Sequence, residues 1–178
     1  MQHHWAPTRL LDWSWSPYVA AYFAVEQELD TDGALWLVHG ASLLQAMTRK
    51  AEAEGRPQGY LQNAALMYGI PGSEPEAFIV EPRKPSARMV AQQGLYTVAN
   101  HVLADHGSII GNCLHNDEEC TRLVKVTIPA SAKAEFMRHL NFMNVKGGSL
   151  FPGVDGLGKS VDELVNQFVR FPWVDAAE

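Results

Sequence analysis

The sequence has 178 residues, 47% of them hydrophobic and 19% charged, and these values predict one folded domain and exclude a disordered chain. The formal net charge of −6 argues against nucleic acid and anionic lipid as partners recognised through bulk charge. The longest apolar stretch, from Tyr18 to Val25, is too short to cross a bilayer, so no membrane partner is expected.

The first predicted helix follows Ser16. A serine before Pro17 is typical of a helix N-terminus, because the hydroxyl caps the first turn and proline fits the first helical position. The helix should run to about Gln27, and its apolar residues lie on every face. The pattern therefore predicts a helix that is buried on all sides.

Strands and further helices are predicted along the rest of the chain. Apolar runs and period-two alternation predict four strands, from Ala34 to His39, Ala77 to Val80, Leu95 to Val98, and Leu123 to Ile128, the last with one buried face. Capping-box patterns start helices at Ser42 and Ser160, and a third helix is predicted from Ser131 to Leu140. In the last helix the apolar residues repeat at i, i+3, i+4, i+7 and i+8: Val161, Leu164, Val165, Phe168 and Val169. A loop is predicted from Gly55 to Glu76. These elements predict an α+β fold in which a mixed sheet packs with several helices.

Two local patterns resemble ligand sites but lack features that such sites need. Cys113 and Cys120 are expected to be reduced, and their spacing with neighbouring histidines matches no common zinc site, so no metal is predicted. No secretory leader is recognisable, which predicts a cytoplasmic protein. The segment from Gly153 to Ser160 satisfies the letters of a phosphate-binding loop, but no βαβ unit surrounds it. Without that context, we do not predict phosphate binding at this segment.

The segment from Gln2 to Ser14 is the most unusual one chemically. It holds two His, an Arg, an Asp, two Trp, a Thr and a Ser within 13 positions, just before the predicted buried helix. Charged groups in an enclosed place need partners, so Arg9 and Asp12 are expected to be enclosed and could pair with each other. Two interpretations stay open: a structural ion pair that fixes the helix, or a site for an anionic or aromatic ligand.

The residues of this segment, QHHWAPTRLLDWS, and the later Ala21-Tyr22-Phe23-Ala24 resemble the central signature of the FRG domain family. We call residues Gln2–Ser14 the FRG block. Arg88 to Thr97 resembles the family's second block, and Ser149 to Leu157 its C-terminal block. At the two positions where the family usually has Tyr and Gly, this sequence has His4 and Trp5. Its Phe/Tyr-Arg-Gly motif lies upstream of the FRG block, at which this sequence begins, so we predict a single FRG-like domain over residues 1–178 that lacks its N-terminal part.

The resemblance implies a domain of bacteria and mobile elements, without an established general activity. The order of its motifs is distantly similar to that of ADP-ribosyltransferase folds, in which Ser14, Ser16, and Gln92 or Gln93 would take the polar positions. This is an analogy at the level of the fold. A glutamine supplies no negative charge to an oxocarbenium-like centre, and this argues against full transferase chemistry.

Three functions follow as hypotheses. The first is a non-catalytic interaction or structural module, with a protein partner or a homo-oligomer, in which Arg9→Ala would leave Asp12 buried and unpaired at a cost of about 3–5 kcal/mol. The second is a nucleotide-binding or nucleotide-processing domain with a defence or toxin-like role, for which NAD is the ligand considered. Its predicted contacts are His3, Arg9, Asp12, Trp13, Ser14, Gln93 and Tyr96. The third is a hydrolase in which His3 or His4 activates Ser14 or a water.

Overall fold

The computed structural model describes residues 9–56, 75–101, 105–115 and 123–170. Within them the chain is α+β, with helices and two small sheets. The described residues divide into two compact units. The first comprises 9–13, 36–56, 75–82, 95–101, 105–115 and 123–125, and the second 14–35, 83–94 and 126–170.

The first unit is built around a three-stranded sheet in the order β1-β4-β3, formed by β1 (Leu10–Ser14), β3 (Ala77–Val80) and β4 (Gly94–Ala99). Strands β3 and β4 are antiparallel, with Ala77 opposite Ala99 and Val80 opposite Tyr96. Helices α2 (Gly40–Ala53) and α4 (His106–His115) pack against each other. Their buried side chains form one core with the sheet: Leu43, Ala46, Met47, Ala77, Ala99, Ile109, Ile110 and Leu114.

The second unit is mainly helical. It contains α1 (Pro17–Val25), α3 (Ala87–Ala91), α5 (Ala130–Phe142), α6 (Gly147–Leu150) and α7 (Val154–Arg170). Helix α1 packs against α5, and α6 packs against α7. The core of this unit is formed by Val19, Ala21, Tyr22, Val25, Ile128, Leu140, Leu150 and Phe151.

Strands β2 (Gly33–Leu37) and β5 (Val124–Ile128) form a separate two-stranded sheet. The predicted alternation of β5 is present in the sequence, but Val124 and Val126 are exposed and only Ile128 is buried. The prediction that one whole face of this strand is buried is therefore wrong. A strand in a two-stranded sheet buries only the side chains that another element covers.

Several predicted elements are confirmed. Strand β3 has the predicted bounds, and Ser16 caps α1 by accepting a hydrogen bond from the Val19 amide. The prediction that α1 is buried on all sides is wrong, because Tyr18 and Phe23 are exposed. Helices α3 and α4 were not predicted. Helix α3 has only five residues, whereas the apolar period of α4, formed by Ile109, Ile110 and Leu114, was overlooked. Of the predicted loop after Gly55, residues 57–74 lie outside the described residues.

Two helix starts differ from the prediction. Helix α2 is capped by the imidazole of His39, whose Nδ1 accepts a hydrogen bond from the Ser42 amide, and Ser42 itself lies within the first turn. Helix α7 begins at Val154, six residues before the predicted Ser160. Within the described part of the chain, no helix is both long and apolar enough to cross a membrane.

Candidate functional site

The described part of the FRG block is an edge strand followed by a helix cap. Residues 1–8 lie outside the described residues, so the predicted contacts of His3 and His4 stay predictions. Strand β1 pairs with β4, and the Ala99 amide donates a hydrogen bond to the Arg9 carbonyl at 3.4 Å. The FRG block therefore contacts β4 through strand pairing.

Arg9 and Asp12 differ in their environments. Arg9 is half-buried, and its Nη1 donates a hydrogen bond of 3.2 Å to the carbonyl of Ala99, which is buried. Asp12 is exposed. The prediction that both side chains are enclosed is therefore wrong for Asp12, which lies exposed on the edge strand β1. The expected cost of Arg9→Ala then comes from the lost bond to Ala99 and not from a buried carboxylate.

Trp13 begins a short chain of side-chain hydrogen bonds in the first unit. Its indole Nε1 donates to Thr97 Oγ1 at 3.0 Å, and Thr97 Oγ1 lies 2.8 Å from His106 Nδ1. Thr97 is buried, so its hydroxyl hydrogen needs an acceptor. Since the indole can only donate, the bonding pattern assigns His106 Nδ1 as that acceptor and places the ring proton on Nε2.

The environment of His106 favours its neutral form. Burial lowers the pKa of this imidazole below its ordinary value of 6.5, while a hydrogen bond with the Arg9 backbone and the charge of Asp105 act in the opposite direction. A protonated ring would also lose its acceptor at Nδ1. His106 therefore serves as a neutral link between the strand that carries the FRG block and helix α4.

In the second unit, the hydroxyl groups of Ser14, at the end of the FRG block, and of Ser16 bond to the backbone. Ser14 Oγ donates to the Gln92 carbonyl at 2.8 Å and accepts from the Ser16 amide at 3.1 Å. Ser16 Oγ accepts from the Val19 amide as the cap of α1. Both serines that the transferase analogy singles out thus have structural hydrogen-bond partners.

The glutamines of the same analogy lie beside them. The Gln92 side chain donates through Nε2 to the Leu150 carbonyl at 3.1 Å. Gln93 is exposed, adopts a left-handed backbone with φ of 47°, and accepts a hydrogen bond from the Trp15 amide through its carbonyl. Tyr96, another predicted contact of the nucleotide, is half-buried within β4 of the first unit. The predicted site residues are therefore gathered in two groups, Arg9, Asp12, Trp13 and Tyr96 in one unit and Ser14 and Gln93 in the other.

A cavity of about 130 Å³ lies in the second unit, where the sequence predicted no site. Helices α1, α5 and α7 line it, with charged residues of both signs, among them Glu26, Lys133, Lys159 and Glu163. Lys133 is 2% exposed, and its Nζ donates to the carbonyls of Gln27 and Glu28, just beyond the end of α1. A cation is favourable there because the partial charge at a helix C-terminus is negative.

The wall of this cavity is a hydrogen-bonded polar cluster. The buried Tyr22 hydroxyl donates to Glu163 Oε1 at 2.5 Å, and the same oxygen accepts from the Gly147 amide at 2.8 Å. Burial, together with the hydrogen bond to Glu163, raises the pKa of Tyr22 far above its ordinary range. The phenol therefore keeps its proton. In the part of the chain that the structure describes, no group of three His, Cys, Asp or Glu side chains could hold a metal ion.

The segment that resembles a phosphate-binding loop is helical. Helix α7 contains every residue of it from Val154 onward, so the segment forms the start of a helix and not a loop. Lys159 forms an ion pair with Glu26 and lies over the Phe151 ring at 4.7 Å. The lysine that such a loop would use for phosphate thus contacts the chain's own residues.

The glycines of this segment allow close packing of α6 on α7. A Cβ on Gly156 would lie 1.9 Å from the Phe151 carbonyl oxygen, and one on Gly147 would lie 2.6 Å from the Cβ of Lys159. Helix α7 therefore packs on the unit through small and polar residues, namely Gly156, Lys159 and Glu163.

The opposite side of α7 is apolar and exposed. The exposed fractions are 83% for Val154, 67% for Leu157, 53% for Val161, 52% for Leu164 and 52% for Val165. We call these five residues the α7 outer face. The apolar repeat of this helix is recognisable in the sequence, but the repeat does not say what covers it. The opposite side of the helix carries Lys159 and Glu163, four residues apart.

Comparison with known proteins supports the family resemblance in the N-terminal part of the chain. No curated protein and no solved structure matches the chain. The family model of the FRG domain matches residues 1–33, which include the FRG block and α1. Over this segment the chain is similar to the FRG domain, and the resemblance seen in its sequence is confirmed there.

Proposed function

We propose that this chain is a non-catalytic interaction module that binds a protein partner through the α7 outer face. The observation that carries the proposal is the orientation of α7, which directs polar and small residues inward and apolar residues into solvent. Contiguous exposed apolar residues are typical of protein interaction sites, because covering them removes apolar surface from water at about 25 cal/mol per Å².

The hydrogen bonds of the FRG block support the non-catalytic part of the proposal. Arg9, Trp13 and Ser14 each donate to an acceptor within the chain itself. A nucleophile needs a base within reach of its hydroxyl, and a ligand clamp needs donors directed at the ligand. The internal bonds of these three side chains suit a structural role, in which they fix the strand and the start of α1.

The test replaces two outer-face leucines with lysine. Leu157→Lys combined with Leu164→Lys should leave the free energy of unfolding within about 0.5 kcal/mol per site of its original value, because exposed positions outside a core tolerate such changes. Binding of an apolar fluorescent dye to the folded protein should fall. Both quantities are measured on the purified chain, by urea unfolding and by dye titration.

The control is Leu140→Ala in the same unit, where the leucine is 2% exposed. This truncation should cost about 2–5 kcal/mol. If the lysine double variant destabilises the protein as strongly as Leu140→Ala, the outer face belongs to the chain's own core and the interaction proposal fails.

The nucleotide alternative is tested on the same protein. Isothermal titration with NAD and with ATP at millimolar concentration should give no saturable heat if the module is purely an interaction domain. A saturable heat that disappears in Trp13→Phe would instead favour a nucleotide site at the FRG block.

A further inference from the structure

The cavity of the second unit contains a buried ammonium group that lacks a carboxylate partner. Lys133 lines the cavity, is 2% exposed, and donates through Nζ to the carbonyls of Gln27 and Glu28. An ammonium group has three donors, so these two bonds leave one donor unused. Among the residues that the structure describes, no carboxylate pairs with Lys133. Because a buried charge is costly without an opposite charge, this position suits an anionic group of a ligand.

A second cation lies on the same side of the cavity. Arg138 follows five residues later on α5 and also lines the cavity. Its Nη2 lies 3.7 Å from Glu135 Oε1, and both of these side chains are more than half exposed. An ion pair of this kind contributes little, so the guanidinium is available to a ligand. The α5 side of the cavity therefore carries two positive charges.

The α7 side of the cavity carries the opposite charge. Lys159 forms an ion pair with Glu26, so these two charges compensate each other. Glu163 accepts its two hydrogen bonds through Oε1, and Oε2 accepts none from the residues that the structure describes. Asp162 is exposed and forms no ion pair within the described part of the chain. Two carboxylates of α7 thus line the cavity without a cation of their own.

The size of the cavity and its apolar lining restrict the ligand further. Its volume is about 130 Å³, which suits about six non-hydrogen atoms, since a cavity of about 150 Å³ holds benzene. Leu29, Ala134 and Met137 supply apolar contacts. A fitting ligand therefore combines a carboxylate, an ammonium group and a short apolar part within a few atoms. A free α-amino acid with a short aliphatic side chain has all three.

We propose that this cavity binds a small α-amino acid, with its carboxylate toward Lys133 and Arg138 and its ammonium group toward Asp162 and Glu163. A ligand of about six non-hydrogen atoms makes few contacts, so a dissociation constant in the millimolar range is expected. The proposal does not rest on the α7 outer face. The interaction function and the amino-acid site can therefore fail separately.

Isothermal titration of the purified chain with L-alanine tests the proposal. Propionate and ethylamine are the matched ligands, because each lacks one of the two charged groups of alanine. L-Alanine should give a saturable heat in the millimolar range, and each analogue should bind about ten-fold more weakly or not at all. Absence of a saturable heat with L-alanine would overturn the proposal. Equal affinity for L-alanine and for either analogue would overturn it as well.

Variants of exposed residues locate the binding site. Lys133 is left unchanged, because its bonds hold the end of α1. Asp162→Asn and Arg138→Gln each remove one charge from the cavity and should weaken L-alanine binding about three-fold or more, with thermal unfolding unchanged. Asp155→Asn and Arg83→Gln are the controls, since both residues are exposed and neither lines the cavity. If the controls weaken binding as much as the cavity variants, the ligand binds elsewhere and the proposal fails.

A second measurement does not depend on any variant. In a two-dimensional NMR spectrum, L-alanine should shift the amide resonances of Leu29, Ala134 and Met137, which line the cavity. The amide of Val90, which is 62% exposed on α3 and does not line the cavity, should keep its position. Shifts confined to residues outside the cavity would overturn the assignment of the site.

Discussion

Trp13 illustrates how far single residues could be assigned from the sequence. Its importance was predictable, because a tryptophan beside an arginine and an aspartate stands out in any sequence. Its partner was not, since Thr97 is 84 residues away along the chain. The pairing of β1 with β4 creates this contact, and single-residue chemistry carries no information about strand order.

The first prediction concerns this indole. Trp13→Phe removes the donor to Thr97 Oγ1 and leaves part of a buried hydroxyl's bonding capacity unused, at a cost of about 1–3 kcal/mol in the free energy of unfolding. Trp15→Phe is the control, because Trp15 is 60% exposed and the same change there should cost less than about 0.5 kcal/mol. Urea unfolding of both variants gives the comparison. Equal effects would contradict the assigned hydrogen bond.

The second prediction concerns pH. The folded protein lowers the pKa of His106, so its stabilising contribution is complete above the ordinary pKa of 6.5 and is lost as the pH falls through the folded value. Stability should therefore decrease between about pH 7.5 and about pH 5.5. Asp105, whose pKa is lowered from 3.8 chiefly by hydrogen bonds with Ser108, loses its contribution only at lower pH.

His106→Asn keeps an acceptor near the Nδ1 position without a group that titrates in this range. This variant should show a smaller loss of thermal stability over the same pH interval, although it is less stable at the higher pH. His139→Asn on α5 serves as the control, because His139 is exposed there. A pH dependence that persists unchanged in His106→Asn would show that another group causes it.

At the scale of elements, a helix cap and a short apolar run each predicted an element that the structure contains. Ser16-Pro17 marks the start of α1, and the apolar run of β3 has its predicted bounds. The start of α7 was predicted too late, because Gly156 and Gly158 look like turn residues and Ser160 with Glu163 looks like a cap. Tertiary packing explains the glycine inside the helix, since the backbone at Phe151 and Gly147 lies so close to position 156 that only a glycine fits there.

The third prediction separates these two glycines. In Gly156→Ala the new Cβ would lie 1.9 Å from the Phe151 carbonyl oxygen, so the backbone must move, at a cost of about 1–3 kcal/mol. Gly158 has no atom within 4 Å of a Cβ position, and Gly158→Ala should stabilise the protein by about 0.5–1 kcal/mol through helix propensity. Thermal unfolding of the two variants should give shifts of opposite sign. A stabilising Gly156→Ala would contradict the close approach of Phe151.

At the scale of the whole chain, the sequence predicted the α+β class and the acidic surface charge but not the organisation of the interior. The described residues form separate cores in the two units, one around Ile110 and one around Tyr22, each assembled from segments far apart in sequence. Apolar periodicity identifies which residues of a helix share a face. It does not tell whether that face meets the chain's own core or a partner, and α7 shows the difference.

The burial of Lys133 has a consequence for chemical labelling. Its ammonium group is held by two backbone carbonyls and is 2% exposed, whereas Lys84 and Lys146 are exposed. An acetylating reagent should therefore modify Lys84 and Lys146 rapidly in the native protein and reach Lys133 only when the end of α1 separates from α5. Mass spectrometry of the acetylation rate at Lys133 would report how often that part of the second unit opens.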